Sequence, residues 1–183
     1  VIGAGIIGGA IAEALTPQYE VTATRRNCDK INGLAGKGIK VTSDNRAAAE
    51  EADLVIISVK PVQVVPVLKE IAEAVRGKTV VSFAAAISTD ILHMAAPEAH
   101  FVRAMTNIAV RVRKGYTLFS LQQDLSKERF PDLEKVLLNL GEIQQVEEQY
   151  LDVLTAMSGS GPAYIFTVVE SMIYGALREG LPR

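Results

Sequence analysis

The residues of this chain that can do chemistry gather in a few short stretches, and the first begins at the third residue. Gly3-Ala4-Gly5-Ile6-Ile7-Gly8 has the spacing G-x-G-x-x-G, set between a strand tip and a helical pattern carrying Ala10, Ile11, Ala14 and Leu15. Each glycine has a physical task in such a loop. The first allows the tight turn, the second lets backbone N–H groups approach a pyrophosphate, and the third lets helix and strand pack closely. The helix N-terminus adds roughly half a positive charge directed at the phosphates. The pattern is read as a dinucleotide site, with a purely structural glycine turn as the alternative.

About twenty residues further on, at the end of the second strand pattern, a site for an unphosphorylated ribose presents Asp or Glu to the 2′-hydroxyl. This sequence has Thr24-Arg25-Arg26 there. Arg25 and Arg26 can bind a 2′-phosphate through charge-assisted, bidentate hydrogen bonds. The expected cofactor is therefore NADP(H), with NAD(H) second; two solvated loop arginines are the other reading.

Open parallel sheets bind ligands beyond the carboxyl ends of their strands. Three such ends carry residues of interest. Ser58-Val59-Lys60-Pro61 offers a lysine to orient a cofactor or polarise a substrate, or a plain capping loop in which Pro61 starts the next helix. Ala84-Ala85-Ala86 leaves room for a flat ring against the backbone. In Met105-Thr106-Asn107, the Asn107 amide can hydrogen-bond a nicotinamide carboxamide or a ribose. His93 and His100 lack a spacing that suggests metal ligands, so no metal is expected, and Cys28 reads as an inert packing residue. Hydride transfer, which needs two rings placed correctly and no protein nucleophile, suits this inventory.

The elements that must position these residues follow from the pattern. Short β-branched runs alternate with helical stretches, the signature of βαβ units in a mostly parallel sheet with helices on both faces. Strands are expected at Val1-Ile2, Glu20 to Thr24, Ile39 to Thr42, Leu54 to Val59, Thr79 to Phe83 and Phe101 to Met105. Two more, Tyr116 to Ser120 and Glu142 to Val146, flank an amphipathic helix from Ser126 to Leu140. The other helices are expected over Ile6 to Leu15, Cys28 to Ala35, Arg46 to Glu51, Val62 to Val75 and Thr89 to Ala95, with Asp44 and Ser88 as N-caps. A domain boundary near Glu148 divides residues 1–147, the nucleotide-binding unit, from 148–183, where a helix, a glycine- and serine-rich turn and a second helix are expected.

The 183 residues, 49% hydrophobic with a net charge of −2, can bury a core but give no field to attract nucleic acid. A small-molecule substrate is the better expectation. A single cysteine and no apolar run of membrane-spanning length suit a cytoplasmic protein that is not membrane-bound. Both ends read as cut, so the chain is expected to be part of a longer one.

The most specific stretch is Thr155-Ala156-Met157-Ser158-Gly159-Ser160-Gly161-Pro162-Ala163-Tyr164, expected to be an exposed-backbone turn that either holds an anion or permits tight packing. After it, Ile165, Val168, Val169, Met172, Ile173 and Ala176 make an apolar stripe too wide for a lone terminal helix. With Gly3 to Gly8, Val59-Lys60-Pro61, Val102 to Asn107 and Gly180 to Arg183, this run resembles the pyrroline-5-carboxylate reductase family across nearly the whole chain. The resemblance implies a Rossmann domain, an all-α dimerisation domain, a homodimer or larger assembly, and reduction of the C=N bond of 1-pyrroline-5-carboxylate to give L-proline.

Carried onto this sequence, the resemblance places cofactor contacts on Gly3, Ala4, Gly5, Ile6, Ile7 and Gly8, on Arg25 at the adenosine phosphate, on Asn45, on Ser58, Val59, Lys60 and Pro61, and on Phe83, Ala84 and Ala85. Two positions depart from it: Thr106 stands where many members have Pro, and Ala86 where many have Gly. The resemblance also puts the substrate-carboxylate loop beyond Arg183, so no catalytic residue is named. Reductases of a deazaflavin or dehydrogenases of hydroxy acids share the first half but would lack the Ser158 to Tyr164 run. A non-catalytic NADP-binding protein is the third expectation.

Overall fold

The computed structural model describes residues 1–121 and 130–182. Its sheet is built around a very short central segment. Ile2 bridges in parallel to Thr24 on one side and to Ile57 on the other. Its N–H donates to the Ile56 carbonyl at 2.7 Å, and its own carbonyl accepts from the Ser58 N–H at 2.8 Å. Helix α1 (Ile6–Leu15) follows, then β1 (Thr22–Thr24), a 3-10 turn (Cys28–Ile31) running into α2 (Asn32–Ala35), β2 (Lys40–Thr42), α3 (Asn45–Glu51) and β3 (Leu54–Ile57). Next come α4 (Pro61–Ile71), β4 (Thr79–Ser82), α5 (Thr89–Ala95) and β5 (His100–Met105). Reading across the sheet gives β2, β1, Ile2, β3, β4 and β5, all parallel. With Ile2 counted as the first strand this is the 3-2-1-4-5-6 order of the Rossmann fold.

The sheet then changes direction. Only a 3-10 turn (Ile108–Val112), closed by Arg113 at φ 55°, separates β5 from β6 (Gly115–Leu121). That connection is too short for a parallel crossover, and β6 pairs antiparallel with β5. Helix α6 (Phe130–Leu138) supplies a crossover, so β7 (Gly141–Gln145) is again parallel, to β6. Among the described residues the expected eight strands are thus seven plus the Ile2 rung. The part of the expected Ser126 to Leu140 helix that spans 126–129 lies outside the described residues.

Neighbouring residues on the central strands serve opposite faces, because side chains alternate across a strand. Ile56, Val81 and Val102 pack with Ile11 of α1 and Leu137 of α6, whereas Ile57, Val80 and Phe101 pack with Leu68 of α4 and Leu92 of α5. Helices on both faces therefore rest on two separate cores. The expected N-caps are present: Asp44 accepts from the Ala47 N–H and Ser88 from the Ile91 N–H.

The last segment departs from the expected helix-turn-helix. Helix α7 (Glu148–Leu154) passes without a break into a π-helical turn (Thr155–Gly159) and then α8 (Gly161–Arg178). In the π turn the Ser160 N–H reaches back five residues to the Thr155 carbonyl at 3.2 Å. The hydroxyls of Thr155 and Ser158 donate to the carbonyls four residues back, at 2.6 and 3.0 Å, so this small-residue run satisfies its backbone locally instead of opening into a loop. Along α8 no side chain is buried, and Phe166, Met172 and Tyr174 are among the exposed large residues.

A charged node ties α7 to the sheet. Arg103 on β5, 5% exposed at its side chain, donates to Glu148 at 2.9 Å and to Asp152 at 2.8 Å. The same Glu148 oxygen accepts from the Thr89 N–H at the start of α5, at 2.7 Å. Burial pushes the Glu148 carboxyl up, but hydrogen bonds from Thr89 and Arg103, together with the Arg103 charge, outweigh it and leave the pKa below its ordinary 4.5. The folded carboxyl therefore binds its proton less readily than the unfolded one. Its contribution to stability is complete above that ordinary value and is lost as the pH falls through the lower folded value. Denaturant unfolding measured from about pH 7 to about pH 3 should show this loss, and Glu148→Gln should shrink the drop across the acid end of that range. An unchanged acid limb in the variant would remove Glu148 from the account.

Candidate functional site

The glycine-rich loop is held by the strands around it. The N–H groups of Gly3 and Ala4 both donate to the Thr24 carbonyl, at 3.2 and 2.8 Å, and the Gly5 N–H donates to the Gly3 carbonyl at 2.7 Å. Gly3 has φ 90°, and a Cβ there would lie 2.8 Å from the Ser58 carbonyl oxygen. A Cβ on Gly8 would overlap the Gly3 carbonyl oxygen and crowd Ser58. At Gly5, by contrast, the nearest heavy atom to an added Cβ is 4.0 Å away, so the protein leaves that face of the loop open. The start of α1 has no side-chain cap and no acidic residue in its first turn. Its leading N–H groups, which have no partner inside a helix, are thus not claimed by a carboxylate or hydroxyl of the chain. Open space at Gly5 and an uncapped helix start fit a pyrophosphate.

Beside this loop a cleft of about 390 Å³ is lined by Gly5, Gly9, Arg25, Lys30, Arg111 and others. Four cationic side chains, Arg25, Lys30, Lys37 and Arg111, meet one carboxylate, Glu13, which pairs with Lys37 at 2.8 Å. Arg25 Nη1 donates to the Ala4 carbonyl at 3.1 Å, so the guanidinium lies against the loop. Arg26 is exposed and does not line the cleft. Lys30, Lys37 and Arg111 had no signal in the sequence, because they come from three separate elements and none belongs to a motif. Asn45 starts α3 and is linked to the end of β1: its Oδ1 accepts from the Thr24 hydroxyl at 2.6 Å, and its Nδ2 donates to Glu70 at 3.3 Å.

The other expected residues stand along the carboxyl edge. Lys60 is exposed and extended at the N-cap of α4, followed by Pro61 in the first turn. Phe83 and Ala84 are buried in opposite cores, so they can offer a ligand only backbone, while Ala85 and Ala86 are exposed. Asn107 has its polar atoms engaged within the protein. Its Oδ1 accepts from the Ala109 N–H at 3.1 Å, and its Nδ2 donates to the Ser158 carbonyl at 3.2 Å. That second bond brings the Ser158 region to the edge of the sheet, a link that sequence reasoning did not find. His93 packs edge-on against Phe101, with ring centroids 5.4 Å apart.

Loop, cationic cleft and carboxyl-edge residues on this strand order define a dinucleotide-binding oxidoreductase of the Rossmann class. Comparison with known proteins narrows it. Residues 1–86 match the family described as NADP oxidoreductase, coenzyme F420-dependent, and residues 148–183 match pyrroline-5-carboxylate reductase dimerisation. The pyrroline-5-carboxylate reductase of Corynebacterium melassecola is 35% identical over the whole chain, which spans 69% of that protein. Pyrroline-5-carboxylate reductase 2 of Macaca fascicularis is 30% identical, with 61% of its length covered. Among solved structures, the enzyme from Coxiella burnetii aligns over 99% of this chain and 70% of its own, with a TM-score of 0.88 and 30% identity. The NADP-bound reductase of Plasmodium falciparum shares the fold, with a TM-score of 0.90 over 99% of this chain and 69% of its own, at 23% identity. The chain belongs to the pyrroline-5-carboxylate reductase family.

Ala86, which stands where the family resemblance expects Gly, has φ 58°. A left-handed alanine stores on the order of 1–3 kcal/mol. Glycine relieves that strain but adds about 0.4–1 kcal/mol of unfolded-state freedom. Ala86→Gly should therefore stabilise the protein by about 1 kcal/mol, raising Tm by about 2–4 °C in a thermal melt. A lowered Tm would mean that the methyl group packs more favourably than its backbone angle suggests.

Proposed function

We propose that this protein reduces 1-pyrroline-5-carboxylate to L-proline with NADPH, the last step of proline synthesis. The observation that carries this is the junction of the two matched regions. The Thr155 to Tyr164 run is seated at the carboxyl edge of a dinucleotide-type sheet by the Asn107–Ser158 bond, with Gly159 lying against Met105 and Thr106 at the end of β5. A deazaflavin-linked reductase has one point in its favour, the description of the family matched by residues 1–86, but the match at 148–183 weighs against it.

In this reading Gly3 to Gly8 hold the pyrophosphate and Arg25, flanked by Arg26, holds the 2′-phosphate. Asn45 lies by the adenosine, and Ser58 to Pro61 with Phe83 to Ala85 border the nicotinamide end. The cofactor, when bound, supplies a hydride. The chain's own part is to place two rings and exclude water. The imine enters already protonated on nitrogen, so the protein need not supply an acid for the reduction. Residues 1–147 form the nucleotide-binding domain and 148–183 the start of a helical domain. The exposed apolar face of α8 meets a second copy, as the dimerisation match suggests. A cytoplasmic setting accords with this metabolic role, and no helix among the described residues is long and apolar enough to cross a membrane.

The test is NADPH oxidation by the natural full-length protein, with and without added 1-pyrroline-5-carboxylate. Oxidation that depends on the imine is expected; NADPH binding with no imine-dependent oxidation would overturn the reading. Replacing both Arg25 and Arg26 with Ala should weaken NADPH by about 1.5–3 kcal/mol for each charged hydrogen bond lost, and NADH much less. Titration with both cofactors checks this, and equal losses would contradict a 2′-phosphate role.

A further inference from the structure

Resting on the reductase reading, we infer that Arg103 is a positioning residue for the imine: its bonds to Glu148 and Asp152 hold α7, and through it the Ser158 segment, at the edge of the sheet where the reduced ring must lie. Arg103 sits on β5 four residues before Asn107, and the two side chains reach the same helical segment at different heights. Arg103 grips the first turn of α7 through Glu148 at 2.9 Å and its second through Asp152 at 2.8 Å. Asn107 grips the π turn through the Ser158 carbonyl at 3.2 Å. Two grips fix both the position and the tilt of that segment, which a single one would leave free to pivot.

The construction is costly, which argues for a task. Arg103 is almost wholly buried, and its Nε has no hydrogen-bond partner among the described residues. An arginine kept inside for stability alone is poorly favoured over an apolar side chain of similar size, since desolvation of the guanidinium offsets the ion pairs. What an apolar residue cannot do is hold two carboxylates in a fixed fork geometry. Glu148 extends the node to α5 by accepting from the Thr89 N–H, so the backbone following Ala84 to Ala86 is referenced to the same point. The cofactor loop at Gly3 to Gly8 is bonded to Thr24 and packed closely against Ser58, and no hydrogen bond among the described residues joins it to this node. The node therefore bears on the side of the site where imine and nicotinamide ring meet, and not on the loop that holds the pyrophosphate.

The experiment uses the full-length protein and the variants Arg103→Met, which removes the charge at similar volume, Arg103→Lys, which keeps it but cannot fork, and Asp152→Asn, which loosens one arm. Each is read three ways: NADPH affinity and stoichiometry, kcat and KM for 1-pyrroline-5-carboxylate, and hydrogen exchange of backbone amides. Arg103→Met should leave NADPH affinity within about twofold and lower kcat/KM for the imine by about tenfold or more. Arg103→Lys should recover part of that, and Asp152→Asn should lose less. Amides of residues 154–160 should exchange faster while those of 3–9 do not. Parallel loss of NADPH affinity and imine kinetics would reduce Arg103 to a general structural role, and unchanged kinetics with unchanged exchange at 154–160 would overturn the inference. If the unaltered protein binds NADPH but shows no imine-dependent oxidation, the reductase reading fails and the positioning role falls with it. Exchange at 154–160 then still reports whether Arg103 holds the segment.

Discussion

The close approach of three backbone segments at the carboxyl end of the central strand governs the rest of the structure. The Gly3 carbonyl lies where a Cβ on Gly8 would be, and the Ser58 carbonyl lies 2.8 Å from where a Cβ on Gly3 would be. With side chains at those positions, α1 could not start against the sheet and β3 could not run beside Ile2. Because α1 starts there, its uncapped N-terminus opens at the sheet edge, and the hydrogen bonds from Gly3 and Ala4 to Thr24 bring the end of β1 alongside. Arg25, the next residue, is thereby laid against the loop. The open, uncapped loop and the cationic cleft beside it are consequences of one packing constraint.

That constraint is readable in a sequence because glycine is the only residue that meets it, and the same holds for the alternating apolar strands that need cover on both faces. Sequence reasoning accordingly placed α1 and α5 at their observed ends, both N-caps, and the order of elements through β5. It overran β1 to β4 by a residue or two, since ladder pairing stops short of the outermost apolar residue, whereas β5 and β6 run a residue further than expected and β7 lies one residue earlier. It missed the π turn for a different reason. Gly159, Ser160 and Gly161 read as helix breakers one by one and Pro162 as the first turn of the next helix, where it does stand; back-bonding by Thr155 and Ser158 and the five-residue bond from Ser160 to Thr155 keep the chain helical up to it. Propensity is summed residue by residue, whereas that closure belongs to the segment as a whole.

Within the candidate site the division is similar. The loop glycines and Arg25 were legible because what sets them in place is local: glycines where backbone approaches backbone, an arginine one residue past a strand end. Lys30, Lys37 and Arg111 were not, because only tertiary packing brings them to one cleft. Asn107 carries a contact that its spacing does not reveal. Its position at a strand end suggested a ligand contact, and the structure gives its amide two partners inside the protein, at Ala109 and Ser158. A polar side chain at the carboxyl edge can serve the site by holding another segment in place as readily as by touching what binds there.

The two parts of the chain are joined by polar contacts set around one buried apolar side chain, Leu151 of α7, and the outer helix is left with an apolar face. Arg103, Glu148, Asp152, Asn107 and Ser158 make directional bonds that define where α7 and the π turn sit, while α8 carries Phe166, Met172, Ile173 and Tyr174 into solvent within one chain. Apolar burial is strong but tolerates sliding; hydrogen-bonded charge pairs are worth less and tolerate very little. A protein that must hold a ring in register against a bound dinucleotide needs the second kind of contact between its parts. One that must gather copies of itself needs the first along its outer helix. The ion pairs and the Asn107 bond before Gly161 serve the first need, and the exposed apolar side chains after it serve the second.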